Sequence, residues 1–306
     1  MMSIQSLPDQ VRIREVGPRD GLQAERPVSA SKRADLVVSL ARAGCSRIEA
    51  ASFVSEKAVP AMAGGREVIK RAKEAFAAGE APTARLTGLV PNLRGALAAL
   101  EAAPDELSVT VAASPTYNEK NVRRSIDDSA GEIAQICRAA ATAEIPVDAV
   151  ISCAFGSPYE GEQITPDFVA ELSSRVVGQG CVTVTLADTT GMATPQVLES
   201  TAGAVSAALP GIDLGLHLHE TRGTALLNAY VALGLGISRF DTAVGGLGGS
   251  PFAKGAGGNL STEDFVSFLS SLHIATGIDL AALLPVAESL VDLVGHDIKS
   301  KVRSEA

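Results

Sequence analysis

The 306-residue chain predicts an α/β fold, a closed barrel of eight parallel strands ringed by helices, and three observations carry that expectation. Eight apolar or β-branched segments recur along the chain, each followed by a helical pattern. None of these segments alternates strictly with polar residues, as expected of strands covered by helices on the outer face and filled by side chains within. Charged and imidazole side chains gather where the strands end, the edge at which such barrels place chemistry. The architecture expected is a (β/α)8 TIM barrel with additional C-terminal helices; a doubly wound open sheet is the other fold that uses the same alternation.

Taken in order, VRIREVGP (11–18) is the first strand and ends in RDGLQ (19–23). SKRADLVVSLARA (31–43) has Leu36, Leu40 and Ala43 spaced for one buried helical face, with Gly44 to stop it. RIEAASF (47–53) is the second strand, and 62–76 reads as helix weakened at its start by Gly64 and Gly65. ARLTGLVP (84–91) is the third strand, and Asn92 can cap the helix after it. LSVTVAASP (107–115) is the fourth, followed by a polar turn through Tyr117 and Asn118 and a helix near 126–143. PVDAVISCAFGSP (146–158) and CVTVTLADTTG (181–191) are the fifth and sixth; each precedes a Thr-Pro helix start, at Thr165 and Thr194, where proline in the first turn needs no amide hydrogen. IDLGLHLHE (212–220) and ISRFDTAVGG (237–246) complete the set, and IDLAALLPVAESLVDLVGH adds one or two helices. The expected organisation is one catalytic domain over 1–306, with its core at about 11–275 and a helical extension at about 279–300 that covers a barrel end or meets a second copy as a homodimer.

Composition narrows the function. A hydrophobic fraction of 46 % supports a full core, and 35 acidic against 26 basic residues give a net charge of −9. That balance disfavours nucleic acid or an anionic membrane surface as the main partner. No apolar signal stretch opens the sequence and no window of about 18 apolar residues follows. Cys45, Cys137, Cys153 and Cys181 lack CxxC spacing and read as reduced residues of a cytoplasmic protein.

The run GGLGGSPFAKGAGGN (245–259) holds seven glycines in fifteen positions between the last strand and a helical pattern. Glycine is costly to order, so such a run is either a linker or a shaped ligand loop, and a strand before it with a helix after it favours the loop. It is neither a Walker A sequence nor a dinucleotide fingerprint. Lys254 within it is either a contact for an anionic substrate or solvated.

In a closed barrel the strand ends converge on one mouth, which brings together Arg19, Asp20, Gln23, Glu49, Asp188, His217, His219 and Asn259. His217 and His219 are two of only four histidines, and residues two apart on a strand face the same side. An isolated HxH is also compatible with buried structural histidines. With oxygen ligands from Asp20 and Asn259 it becomes a cation site, and imidazole, carboxylate and amide without thiolate favour Mg2+ or Mn2+, with zinc the alternative. Arg19 beside such an ion would stabilise developing oxyanion charge, or be one half of a solvated turn pair. Glu49, in an otherwise apolar strand, needs a polar partner and is expected to hold Arg19. Asp188 is a supporting residue or base of the site, or a cap for its own turn. His273 and His296 are expected in late helices facing solvent.

Six segments then carry a resemblance: VGPRDGLQ (16–23), IEAASFVS (48–55), VISCAFGSPYEG (150–161), LADTTG (186–191), HLHETRG (217–223) and GLGGSPFAKGAGGNLSTEDFV (246–266). Together they resemble the 3-hydroxy-3-methylglutaryl-CoA lyase family, within a superfamily of metal-dependent barrel lyases and Claisen-condensing enzymes. The resemblance implies a divalent cation held by Asp20, His217, His219 and Asn259, an enolate-stabilising Arg19 ordered by Glu49, and an active-site Asp188. It implies an acyl-CoA substrate, cleaved by loss of the hydroxyl proton to a ketone and an acyl-CoA enolate; for the methylglutaryl substrate these become acetoacetate and acetyl-CoA. Arg19, Asp20, Glu49, Asp188, His217 and Ser250 are the catalytic candidates that follow. Ser250 departs from the family, whose glycine loop reads GGCP rather than GGSP and whose cysteine moves a proton. A thiol has a pKa of about 8.5, and a serine hydroxyl is a far weaker acid. Ser157 departs similarly, in GSPYEG where the family often has GCPYEG. A related substrate, such as a citramalyl-CoA or a longer-branched 3-hydroxyglutaryl-CoA, is therefore a second expectation. A Claisen-type synthase and a non-catalytic metabolite-binding barrel stand as alternatives.

Overall fold

The computed structural model describes residues 7–249 and 257–304, so Ser250 and Lys254 lie outside the described residues. Eight strands close into a barrel in sequence order: β1 (Arg12–Glu15), β2 (Arg47–Ser52), β3 (Arg85–Leu89), β4 (Glu106–Ala112), β5 (Val147–Ser152), β6 (Thr183–Ala187), β7 (Asp213–His217) and β8 (Arg239–Thr242). All neighbours are parallel, and β8 closes on β1 from Arg12 opposite Arg239 to Glu15 opposite Thr242. The (β/α)8 barrel read from the sequence is present, and the open sheet is not.

Around it run α1 (Ala30–Arg42), α2 (Gly65–Ala77), α3 (Leu93–Leu100), α4 (Pro115–Val122), α5 (Ile126–Ala141), α6 (Pro166–Gly178), α7 (Pro195–Ala208), α8 (Ala225–Gly234), α9 (Thr262–Ser271) and α10 (Leu280–Val294). Their starts are capped as the residue types require. Asn92 Oδ1 accepts from Gly95 N, and Thr165 and Thr194 accept from the amides three residues on, each just before the expected proline. The polar turn expected at Tyr117 and Asn118 is instead the helix α4. Ser114 caps it through Tyr117 N, and Asn118 is buried, bonding the backbone of Ala112 and Arg124 and the hydroxyl of Ser129. Local polarity misled there because those polar groups are satisfied inside the protein rather than by water.

The single helix α10 buries Leu283, Ala287, Leu290 and Val294, its i, i+4, i+7, i+11 face, against the cluster that includes α1. His273 and His296 are exposed, as expected, but sit just past α9 and α10 rather than in them. Among the described residues no helix is long and apolar enough to cross a membrane.

The barrel interior is charged. Arg14 on β1 reaches Asp241, its register partner on the neighbouring strand β8, and also Asp148 on β5, which Arg239 on β8 reaches as well; β5 neighbours neither β1 nor β8, so the two bonds to Asp148 cross the lumen. Gly215 on β7 leaves room for this: a Cβ there would stand 2.7 Å from the Arg239 guanidinium carbon. Apolar packing lies mainly between the strands and the helix ring, where Phe240 and Phe265 meet edge to face at 5.0 Å.

Candidate active site

The first strand ends in a wide turn, Gly17–Gly21, that sets the geometry of the mouth. The carbonyl of Val16 accepts from the amides of Arg19 (3.1 Å), Asp20 (2.8 Å) and Gly21 (3.2 Å), which curls the backbone and throws both charged side chains inward. Gly17 permits the curl. Its amide donates to Glu15 Oε1 at 2.7 Å, and a Cβ at this position would meet that oxygen at 2.6 Å and Val244 at 2.8 Å. Glu15 also accepts from Val244 N and from the Thr262 hydroxyl, tying the turn to the segment after β8.

Arg19 is clamped between two carboxylates. Its Nε donates to Glu49 Oε2 at 2.5 Å, a second guanidinium nitrogen pairs with the same oxygen, and a third donates to Asp20 Oδ1 at 2.6 Å. Glu49, expected to need a partner, has this one. Burial raises the Glu49 pKa against the opposing pull of Arg19. Asp20 is partly buried, which disfavours its charge, yet Arg19 and then the two histidines hold its pKa below the usual range.

Asp20, His217 and His219 bring one ligand atom each within 4.8 Å of one another. His217 is the last residue of β7, with Nε2 3.9 Å from Asp20 Oδ2, and the two imidazole centroids are 5.0 Å apart. His219 lies just beyond the strand, held by a bridge to Asn259 rather than by the barrel ladder. Its Nδ1 faces the Asp188 carbonyl at 2.9 Å. Burial, with His217 beside it, lowers its pKa to about 4, so it is a neutral donor. The His217 pKa is raised, because Asp241 and Asp20 outweigh the effect of burial.

Asn259 Nδ2 donates to Asp20 Oδ2 and to the Leu247 carbonyl, both at 2.8 Å, and its Oδ1 is buried with no partner among the described residues. Gly248, at φ +104°, lets the backbone pass this amide where a Cβ would fall 2.3 Å from Nδ2. An orphaned amide oxygen beside two imidazoles and a carboxylate fits a cation: two nitrogen and two oxygen donors, none a thiolate. These residues can hold a divalent ion, and the acidic surroundings that favour a proton on His217 are ones a cation would also satisfy.

Asp188 follows β6. Its Oδ1 accepts from Met192 N (2.8 Å) and Ala193 N (3.1 Å), capping its own turn, while its carbonyl holds His219. The cap reading therefore describes its Oδ1 side. Its Oδ2 is buried without a partner among the described residues, and burial raises the carboxyl pKa to about 6. Gln23 is half-buried beyond the turn. Ser157 donates to Glu162 at 2.5 Å and bonds Ser114, pinning its loop.

Sequence reading passed over Asp241, which accepts from both Arg14 and His217, and over Arg14 and Asp148. The signal was present: each is a charge inside a short strand, the same criterion that singled out Glu49.

The HMGL-like family model matches residues 10–290. A mitochondrial hydroxymethylglutaryl-CoA lyase of Macaca fascicularis is 42 % identical over 301 residues, covering 98 % of this chain and 90 % of the relative. The crystal structure of the Bacillus subtilis HMG-CoA lyase superposes with a TM-score of 0.91 at 36 % identity, covering 97 % of this chain and 98 % of that one. An Acinetobacter baumannii HMG-CoA lyase in complex with coenzyme A and 3-methylmalate superposes at 0.88 with 40 % identity, covering 96 % and 94 %. With this likeness over nearly its whole length, and with the fold and mouth described above, the chain belongs to the HMGL-like family and is a hydroxymethylglutaryl-CoA lyase-like enzyme.

Proposed function

We propose that this chain is one catalytic domain that cleaves 3-hydroxy-3-methylglutaryl-CoA to acetyl-CoA and acetoacetate with Mg2+ or Mn2+ bound by Asp20, His217, His219 and Asn259. The observation that carries the reading is the convergence of Asp20, His217 and His219 within 4.8 Å, beside an arginine locked on two carboxylates. When bound, the cation supplies Lewis acidity and an anchor for the hydroxyl and carboxylate oxygens of the substrate. The buried Oδ2 of Asp188 is the oxygen on this chain suited to take the C3 hydroxyl proton. The electron pair of that O–H bond becomes the ketone π bond as C2–C3 breaks, and the C2–C3 pair moves into the thioester enolate. Arg19, which cannot reorient while Glu49 and Asp20 hold it, balances the charge on the thioester oxygen. Protonation at C2 completes acetyl-CoA. The A. baumannii relative, seen with coenzyme A and a hydroxy diacid, supports an acyl-CoA substrate of this chemical kind.

Ser250 supports a second reading, a related 3-hydroxyacyl-CoA such as citramalyl-CoA or a longer-branched homologue with its own proton route to C2. Incubating the protein with each thioester and Mg2+ or Mn2+, then measuring acyl-CoA and keto product by mass spectrometry, decides between them. Cleavage of the methylglutaryl thioester is expected, with higher turnover in Ser250→Cys. Turnover of only another member favours the second reading, and turnover of none overturns the lyase assignment. We further propose a cytoplasmic homodimer; four free, buried cysteines support a reducing compartment.

A further inference from the structure

Asp241 is a buried carboxylate to which the chemistry above gives no task. It is 4 % exposed, and Arg14, 2 % exposed, grips it with two parallel bonds of 2.8 Å, Nε to Oδ1 and a terminal nitrogen to Oδ2. The grip is itself anchored, because Arg14 also donates to Asp148 Oδ2 at 2.9 Å and Asp148 accepts from Thr183, Thr185 and Arg239. Asp241 Oδ2 is left with one further direction, toward His217 Nδ1 at 3.2 Å. A carboxylate accepting two guanidinium donors has only acceptor character, so the proton of neutral His217 belongs on Nδ1 and the Nε2 lone pair faces Asp20. His219 reaches the same state by another route, since the Asp188 carbonyl opposite its Nδ1 is also acceptor-only. Two unrelated acceptors thus select the same tautomer for the two imidazoles that meet Asp20.

We propose that Asp241, fixed by Arg14 from the barrel interior, is a positioning residue that sets the tautomer and direction of His217 and thereby the affinity of the cation site. The inference rests on the metal reading above. Asp241 touches neither the cation position nor, in this scheme, the substrate; it acts through His217. A purely structural ion pair would be indifferent to which imidazole nitrogen carries the proton.

The test uses the full-length protein, with free Mn2+ counted by electron paramagnetic resonance and the His217 tautomer read from 15N chemical shifts of the metal-free, histidine-labelled protein at a pH above the raised His217 pKa, where the ring is neutral. Asp241→Ala is expected to raise the Mn2+ Kd about 10- to 100-fold. It should also move His217 from the Nδ1–H form toward the Nε2–H form. Asp241→Asn, which keeps one acceptor oxygen and the side-chain volume, should give a smaller change in both and carries the test if the alanine variant fails to fold. Wild-type affinity and an unchanged tautomer in the folded variants overturn the proposal, even where the melting temperature falls. A wild-type protein that takes up no Mn2+ overturns the metal reading and the affinity claim together. The tautomer is read without metal, so its insensitivity to substitution defeats the positioning claim on its own.

Discussion

Glu15 shows how a single residue can hold a functional turn and charge a cost for it. Its carboxylate accepts from Gly17 N, Val244 N and Thr262 Oγ1, but complete burial outweighs those bonds and raises its pKa to about 7. The unfolded chain returns it to the ordinary glutamate range near 4.3. Between those values the folded protein binds the extra proton, so stability is fullest below the lower value and falls as pH rises through about 7. Glu15→Gln can keep all three contacts, its oxygen accepting the two amides and its NH2 donating to Thr262, which then turns its own proton to Thr242. Urea midpoints from pH 4 to 8 should show a decline in the wild type relative to Glu15→Gln, worth about 4 kcal/mol at most. Parallel curves for the two proteins would refute this account. Glu15 was legible as part of a strand and nothing more, because its partners at 244 and 262 are more than 200 positions away.

At the scale of the element, the turn Gly17–Gly21 matters more than the strand before it. The apolar pattern of VRIREVGP located β1 but ran three residues too far, since hydrophobicity does not record that one carbonyl, at Val16, accepts three amides. Gly17→Ala places a methyl group against Glu15 and Val244 at distances no real Cβ keeps, so the turn must shift. A stability loss of about 1–3 kcal/mol is expected by calorimetric unfolding. Because Arg19 and Asp20 ride on that turn, Mn2+ affinity should fall with it. Unchanged affinity and stability would show that the close approach is slack. The opposite error occurred at α4, where polar residues were read as a turn because their buried partners belong to other segments.

Considered whole, the molecule is a barrel that assembles one site from four distant strand ends, so a ligand there should stabilise the entire fold. An ion that binds only the native state adds RT ln(1 + [L]/Kd), about 2.7 kcal/mol at one hundred times Kd. Thermal unfolding with saturating Mn2+ and with chelator should therefore differ by several degrees in the wild type. In Asp20→Asn the difference should largely vanish, since that change removes a donor from the 4.8 Å cluster and disturbs the Arg19 clamp. An equal shift in both proteins would place the stabilising ion elsewhere.

Strand order, the helices other than α4, the capping residues Asn92, Thr165 and Thr194, and the candidates Arg19, Asp20, Glu49, Asp188, His217, His219 and Asn259 were readable from the chain. Each follows from local chemistry: periodic burial, a cap beside a helix, a charge at or within an apolar strand. What the chain could not display is which of those charges meet. The pairing of Arg19 with Glu49, the lone amide oxygen of Asn259, the two faces of Asp188 and the Arg14–Asp241–His217 line exist only because strands β1, β2 and β5 to β8 close into one lumen. Burial there removes water as a partner, and distance across the barrel then selects which donor answers which acceptor.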